Sequence, residues 1–126
     1  MKGKVLMMIE KTKSNNFIFI CSPYRGDIEK NKAVAQNVCR VAVHLGFIPI
    51  APHLFFTQFL RDYVEEERLK GISCGLELID ICSELWIIGD RITEGMQMEI
   101  SHARRLNIPI KFVPVNLEIA KKEGII

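Results

Sequence analysis

An excess of one charge is missing. The sequence has 17 lysines and arginines against 15 acidic residues, a formal net charge of +2. That is too weak to argue for nucleic acid, and no basic stripe with interleaved aromatics accompanies it. No apolar run is long enough to span a membrane. No signal peptide is evident: the start is basic, but the apolar stretch behind it ends at Glu10. Cysteines are few, and no two form a C-x-x-C pair. Cys21, Cys39, Cys74 and Cys82 all stand in apolar surroundings. They read as reduced, buried thiols of a cytoplasmic protein. His44, His53 and His102 show no ligand spacing with them, so neither zinc nor any other metal or cofactor is expected. Also absent are a P-loop and a Gly-x-Gly-x-x-Gly dinucleotide signature. Repeats and low-complexity linkers are missing too, so the 126 residues form one domain, 1–126, with one core. With 48% hydrophobic and 25% charged residues, the composition is that of a globular domain.

What is present alternates. Residues 4–10 are apolar and fit either an edge strand or a short helix, and 11–16 form a polar turn. Phe17-Ile18-Phe19-Ile20-Cys21 is a continuous run of β-favouring residues, the signature of a buried parallel strand. Val34, Val38, Val41, Ala42 and Leu45 then recur at helical spacing, with Asp27 as N-cap and Gly46 as stop. Residues 47–51 form a second strand, which Pro49 assigns to an outer position, and Pro52-His53-Leu54 leaves it. A helical region covers 57–82. Gly71 and Gly75 are expected to divide or bend it, and 61–68 to be mostly a solvated face. The strand Leu85-Trp86-Ile87-Ile88 follows, then a helix with Thr93 or Asp90 at its start, then a strand at 110–113 ended by Pro114. A closing helix over 117–122 completes the pattern. Alternating strands and helices imply a flavodoxin- or Rossmann-like three-layer sandwich, with a four- to five-stranded, mainly parallel sheet. With the first strand central, the loops at 22–27 and 90–99 meet at the switch point, where such sheets bind ligands.

Glu99 is the informative residue. Met96, Ile100, Ala103 and Leu106 form the inward stripe of its helix, and Glu99 sits within that stripe. A carboxylate there costs several kcal/mol unless partnered. Either a hidden structural partner satisfies it, or it lines a cleft. A carboxylate in such a cleft can act as nucleophile or base, and displacement at a sugar anomeric carbon is one use of that kind. Asp90 stands at the strand tip. The first loop offers Ser22, Arg25 and Gly26 ahead of a helix N-terminus, a combination suited to phosphate. The bland alternative is a surface ion pair at Arg25 and a turn at Gly26. Tyr24 and Trp86 are candidates to stack on a base, with Trp86 better suited to the core. His53 stands near the rim, and His102 reads as exposed.

Cys-Ser-Pro-Tyr-Arg-Gly after the first strand and Gly-Met-Gln-Met-Glu-Ile-Ser-His-Ala later in the chain resemble the nucleoside 2-deoxyribosyltransferase superfamily. That superfamily includes the 2'-deoxynucleoside 5'-phosphate N-hydrolases, and the likeness is closest to its small bacterial and phage branch. It runs over about 17–113. It implies cleavage or transfer of the N-glycosidic bond of a (deoxy)nucleoside or nucleoside 5'-monophosphate. It further implies Glu99 as nucleophile four residues after Gly95, and Ser22, Arg25 and Gly26 as the loop holding sugar and phosphate. Homodimers or larger assemblies are implied as well. The chain departs from the pattern in two places. The family's aspartate that assists the leaving base falls at Leu76; Glu77 is adjacent and Asp80 lies about one turn further on, and Glu77 is the candidate for that role. The family's tyrosine in the first strand is Phe19. A non-catalytic protein that sequesters or senses a nucleotide-derived ligand is the competing expectation.

Overall fold

A computed structural model describes residues 15–89 and 91–113. The apolar segment at 4–10, most of the polar turn, Asp90, Pro114 and the closing helix lie outside the described residues. The elements in order are β1 (Phe17–Cys21), α1 (Ile28–His44), β2 (Ile48–Ile50), α2 (Pro52–Phe55), a 3-10 turn (Phe56–Gln58), α3 (Glu65–Ile79), β3 (Glu84–Ile88), α4 (Glu94–Arg105) and β4 (Ile110–Val113). The four strands are all parallel, in the order β2-β1-β3-β4. This is the expected α/β fold, with β1 inside and the proline-bearing β2 at an edge.

The alternation of the central strands explains the layers. Phe19, Cys21, Leu85 and Ile87 point to one face and pack with Ile79, Met96, Ile100 and Ala103 from α3 and α4. Ile18, Ile20, Trp86 and Ile88 point to the other and pack with Val38 and Ala42 of α1. Successive residues of a strand face opposite ways, so a strand covered on both sides must be apolar throughout. Trp86 is therefore core, edge-to-face with Phe47 at 5.3 Å between ring centroids.

Helices α1 and α4 begin where the sequence places their caps. Asp27 accepts from the Lys30 N–H at 3.2 Å, and Thr93 accepts from the Met96 N–H at 3.2 Å. Several expectations shift. The helical region divides at 59–64, and α3 runs unbroken through Gly71 and Gly75. Those glycines serve close packing: a Cβ on Gly71 would meet Leu60, and one on Gly75 would meet Pro52 at 3.4 Å. Leu106 is exposed because α4 ends at Arg105, ahead of the turn it was expected to join. His102 is half-buried, with Nε2 2.8 Å from Asp80 Oδ1. The four cysteines are free, but Cys74 is exposed and Cys39 half-buried; only Cys21 and Cys82 are buried.

Candidate active site

The central strands β1 and β3 run side by side, so their following loops emerge together at the C-terminal edge of the sheet. Arg91 ties the loops to each other. Its Nη2 donates to the Arg25 carbonyl. Gly26 has φ +106°, and a Cβ there would stand 2.6 Å from the Arg91 guanidinium. The glycine thus serves the turn and makes room for Arg91. It is not among the residues lining the cavity beside these loops.

That cavity has a volume of about 200 Å³. β1 and its loop contribute Ser22, Tyr24 and Arg25; α2 contributes His53; α4 contributes Gly95, Met96 and Glu99. Pro52 at the first position of α2 fixes the start of that helix and so directs His53 inward. His53 Nε2 lies 2.8 Å from Ser22 Oγ, and the His53 ring meets Tyr24 edge-on at 6.2 Å. Burial pushes the imidazole down to about 4, so it is neutral at ordinary pH.

Glu99 is half-buried at the cavity. Burial pushes its carboxyl up to about 8, partly opposed by a hydrogen bond from the Cys21 thiol. The same burial, together with Glu99 itself, raises Cys21 well above the ordinary thiol range. Cys21 Sγ also stands 3.8 Å from the Met96 carbonyl, long even for a sulfur donor. Once Glu99 is charged, its carboxylate is the stronger acceptor. Directly beside Glu99, the bare backbone of Gly75 makes room for the carboxyl: a Cβ there would stand 3.9 Å from Glu99 Oε2.

The structure thus brings Ser22, Tyr24, Arg25, His53, Gly95 and Glu99 to one cavity. Asp90 lies outside the described residues. Glu77 is a correction: it is exposed and does not line the cavity. The face of α3 toward the cavity carries Arg68, Gly71 and Ile72. Glu77 is two residues past Gly75 on that helix, so its side chain points away from this face. Leu76 packs against the core at the position that lacks a carboxylate. Arg25 is paired, donating from Nε to Asp62 Oδ2 at 2.9 Å and from Nη2 to the Asp62 carbonyl at 2.8 Å.

Sequence reasoning missed three residues here. Asp62, Glu67 and Arg68 line the cavity, although 61–68 reads as a solvated face. The available signal was the spacing of Arg68, Gly71, Ile72 and Gly75, which share one side of a helix. The tie between Cys21 and Glu99 has no counterpart in the sequence pattern, where Cys21 reads only as a buried thiol. Among the described residues, no group of three or more His, Cys, Asp or Glu is arranged to hold a metal ion, and no helix is long and apolar enough to cross a membrane.

Residues 16–113 match the family model described as "Domain of unknown function (DUF7768)", and the chain belongs to that family. No curated protein matches the sequence. The fold is similar to that of a 2-deoxyribosyltransferase from the psychrotolerant bacterium Bacillus psychrosaccharolyticus. The TM-score is 0.63 with 18% identity, over 83% of this chain and 80% of that one. At that identity the likeness is one of fold.

Proposed function

We propose that this member of the family cleaves or transfers the N-glycosidic bond of a (deoxy)nucleoside or nucleoside 5'-monophosphate, with Glu99 as the nucleophile. The observation that carries this reading is the Glu99 carboxyl itself, desolvated in a cavity at the switch point of a parallel sheet. The similar fold of a 2-deoxyribosyltransferase supports it. In the first step a Glu99 oxygen attacks the anomeric carbon. A C–O ester bond forms, the C–N bond breaks, and the base leaves with the bonding pair and takes up a proton from solvent. Water, or the ring N–H of a second base, gives up its proton to solvent as its oxygen or nitrogen displaces Glu99 and restores the carboxylate. The Cys21 thiol steadies the charged form, which burial otherwise disfavours. Ser22, Tyr24 and His53 form the wall for the sugar, held by the Ser22–His53 contact of 2.8 Å. Assembly into a homodimer or larger homo-oligomer belongs to this reading. The exposed rings of Phe55, Phe59 and Tyr63 offer an apolar face for it. Sedimentation equilibrium tests that part, and a monomer at micromolar concentration would remove it.

A second reading, a non-catalytic nucleotide binder, is favoured by one observation: Leu76 and the outward Glu77 leave the expected leaving-group carboxylate without a counterpart. One experiment separates the two. Wild type and Glu99→Gln are given a panel of nucleosides and 5'-monophosphates, and both binding and free base are measured. Loss of base release with binding largely retained supports the nucleophile, because the missing interaction belongs to the reaction step. Tight binding by wild type with no base released supports the binder.

A further inference from the structure

Arg68 is one of the charged groups at the cavity that have no part in the glycosidic steps. The Arg68 side chain is only 9% exposed, yet it lines the cavity. Among the described residues its hydrogen-bond partner is Glu65, one turn back on α3, with Nη1 3.4 Å from Oε1. That carboxylate is 68% exposed, and such a pair contributes little. Among the described residues no fully buried polar side-chain atom lacks a partner. The other guanidinium donors of Arg68 therefore keep access to solvent at the residue that lines the cavity. Arg25 is the contrasting case, with its fork already committed to Asp62.

The spacing along α3 is informative. Gly75 marks the level of the Glu99 carboxyl on this helix. Arg68 precedes it by seven residues, a rise of about 10 Å at 1.5 Å per residue. The cavity therefore has a reactive carboxyl toward one end and an uncommitted guanidinium toward the other. We propose that Arg68 is the anion anchor of this cavity and that the ligand is a nucleoside 5'-monophosphate, with its phosphate at Arg68 and its anomeric carbon at Glu99. The furanose and one methylene separate those two groups in such a ligand. With a hydrogen-bond length added at the phosphate and the reach of the carboxylate at the sugar, they bridge the interval. The choice of reacting carbon rests on the N-glycosidic reading; the anion anchor does not.

The remaining charges sharpen the expectation. Asp62, Glu67 and Glu94 also line the cavity. Asp62 is held by Arg25, Glu67 accepts from the Arg61 N–H at 3.3 Å, and Glu94 is exposed. Without Arg68 a phosphate would meet a mostly acidic wall. Loss of the guanidinium should therefore reverse the preference for the charged ligand.

The test is calorimetric binding of matched deoxynucleoside and 5'-monophosphate pairs to the full chain as wild type, Arg68→Gln, Arg68→Lys and Arg25→Gln. Wild type should bind the monophosphate more tightly than its nucleoside. Arg68→Gln should weaken the monophosphate about ten- to a hundredfold and leave the nucleoside nearly unchanged. Arg68→Lys should recover part of the difference, and Arg25→Gln should keep the preference. Inorganic phosphate should compete with the monophosphate on wild type and not on Arg68→Gln. Equal losses for both ligands, a preference that vanishes with Arg25→Gln instead, or no binding of monophosphates by wild type would each overturn the proposal. Phosphate-dependent binding without base release would sink the reaction and keep the anchor. Base release from nucleosides with no preference for the monophosphate would do the opposite.

Discussion

Glu99 needs its charge to attack, and burial holds its proton to about pH 8. At neutral pH about a tenth of the molecules carry the carboxylate, since one pH unit from the midpoint is a tenfold ratio. Base release should therefore climb with pH and level off near that value, which a pH–rate profile of kcat checks. A profile flat between pH 6 and 9 would remove Glu99 as the titrating nucleophile. Cys21 supports the charged form by donating to it. Cys21→Ala should move the rising limb to higher pH with the fold intact; Cys21→Ser, which restores a donor, should move it back. Ser22 and His53 make a different kind of pair. Ser22→Ala leaves the neutral, half-buried His53 without its 2.8 Å partner, the buried Ser22 hydroxyl. The cost should be about 1–3 kcal/mol in denaturant unfolding, the usual penalty for stranding a buried polar group.

At the scale of elements, α3 approaches α2 and α4 closely at Gly75, beside the Glu99 carboxyl that lines the cavity. A Cβ there reaches Pro52 at 3.4 Å and Glu99 Oε2 at 3.9 Å, which is ordinary contact. Gly75→Ala should thus fold, with up to about 1 kcal/mol of helix propensity in its favour. Gly75→Val places further methyl groups against Pro52 and the carboxyl. It should lower the melting temperature and reduce activity more than the alanine does. Equal activity in both variants would show that α3 has slack at this point. Asp27→Ala removes the cap of α1, on the opposite face of the sheet from Glu99. It should cost about 1 kcal/mol of stability and leave the pH profile unchanged.

Across the whole molecule, two desolvated groups at one cavity pull stability in opposite directions with pH. The folded-state value of Glu99 is raised, so the stability tied to its proton is full below about 4.5 and is lost as pH rises through about 8. That of His53 is lowered, so the stability tied to its neutral ring is present above about 6.5 and is lost as pH falls through about 4. Between about pH 4.5 and 6.5, where the two windows overlap, the trends offset each other in the wild type. Glu99→Gln removes one of them. Its stability relative to wild type should grow from about pH 4.5 to 8 and then stay level, with a slope of at most roughly 1.4 kcal/mol for each pH unit crossed. Thermal melts across that range check it. A difference independent of pH would mean that Glu99 titrates normally and is not desolvated.

The order of apolar runs determined much by itself. Phe17–Cys21 and Leu85-Trp86-Ile87-Ile88 are apolar on both faces, which only a strand covered on both sides tolerates, so the parallel sheet and its switch point were legible. So was Glu99, because a carboxylate within the stripe of Met96 and Ile100 breaks the helical pattern. Asp27 and Thr93 were readable as caps for the same local reason. Contacts between distant segments were not legible. That Arg25 is held by Asp62, that Arg68 turns inward from a charged run, and that Cys21 reaches Glu99 all depend on how α3 and α4 settle on the sheet. The expectation at Glu77 failed because phase along a helix depends on single residues, and one step turns a side chain by about 100°. Local periodicity is written in neighbouring residues and survives without tertiary context. The partner of a polar side chain is chosen by whichever segment arrives beside it, and that only packing decides.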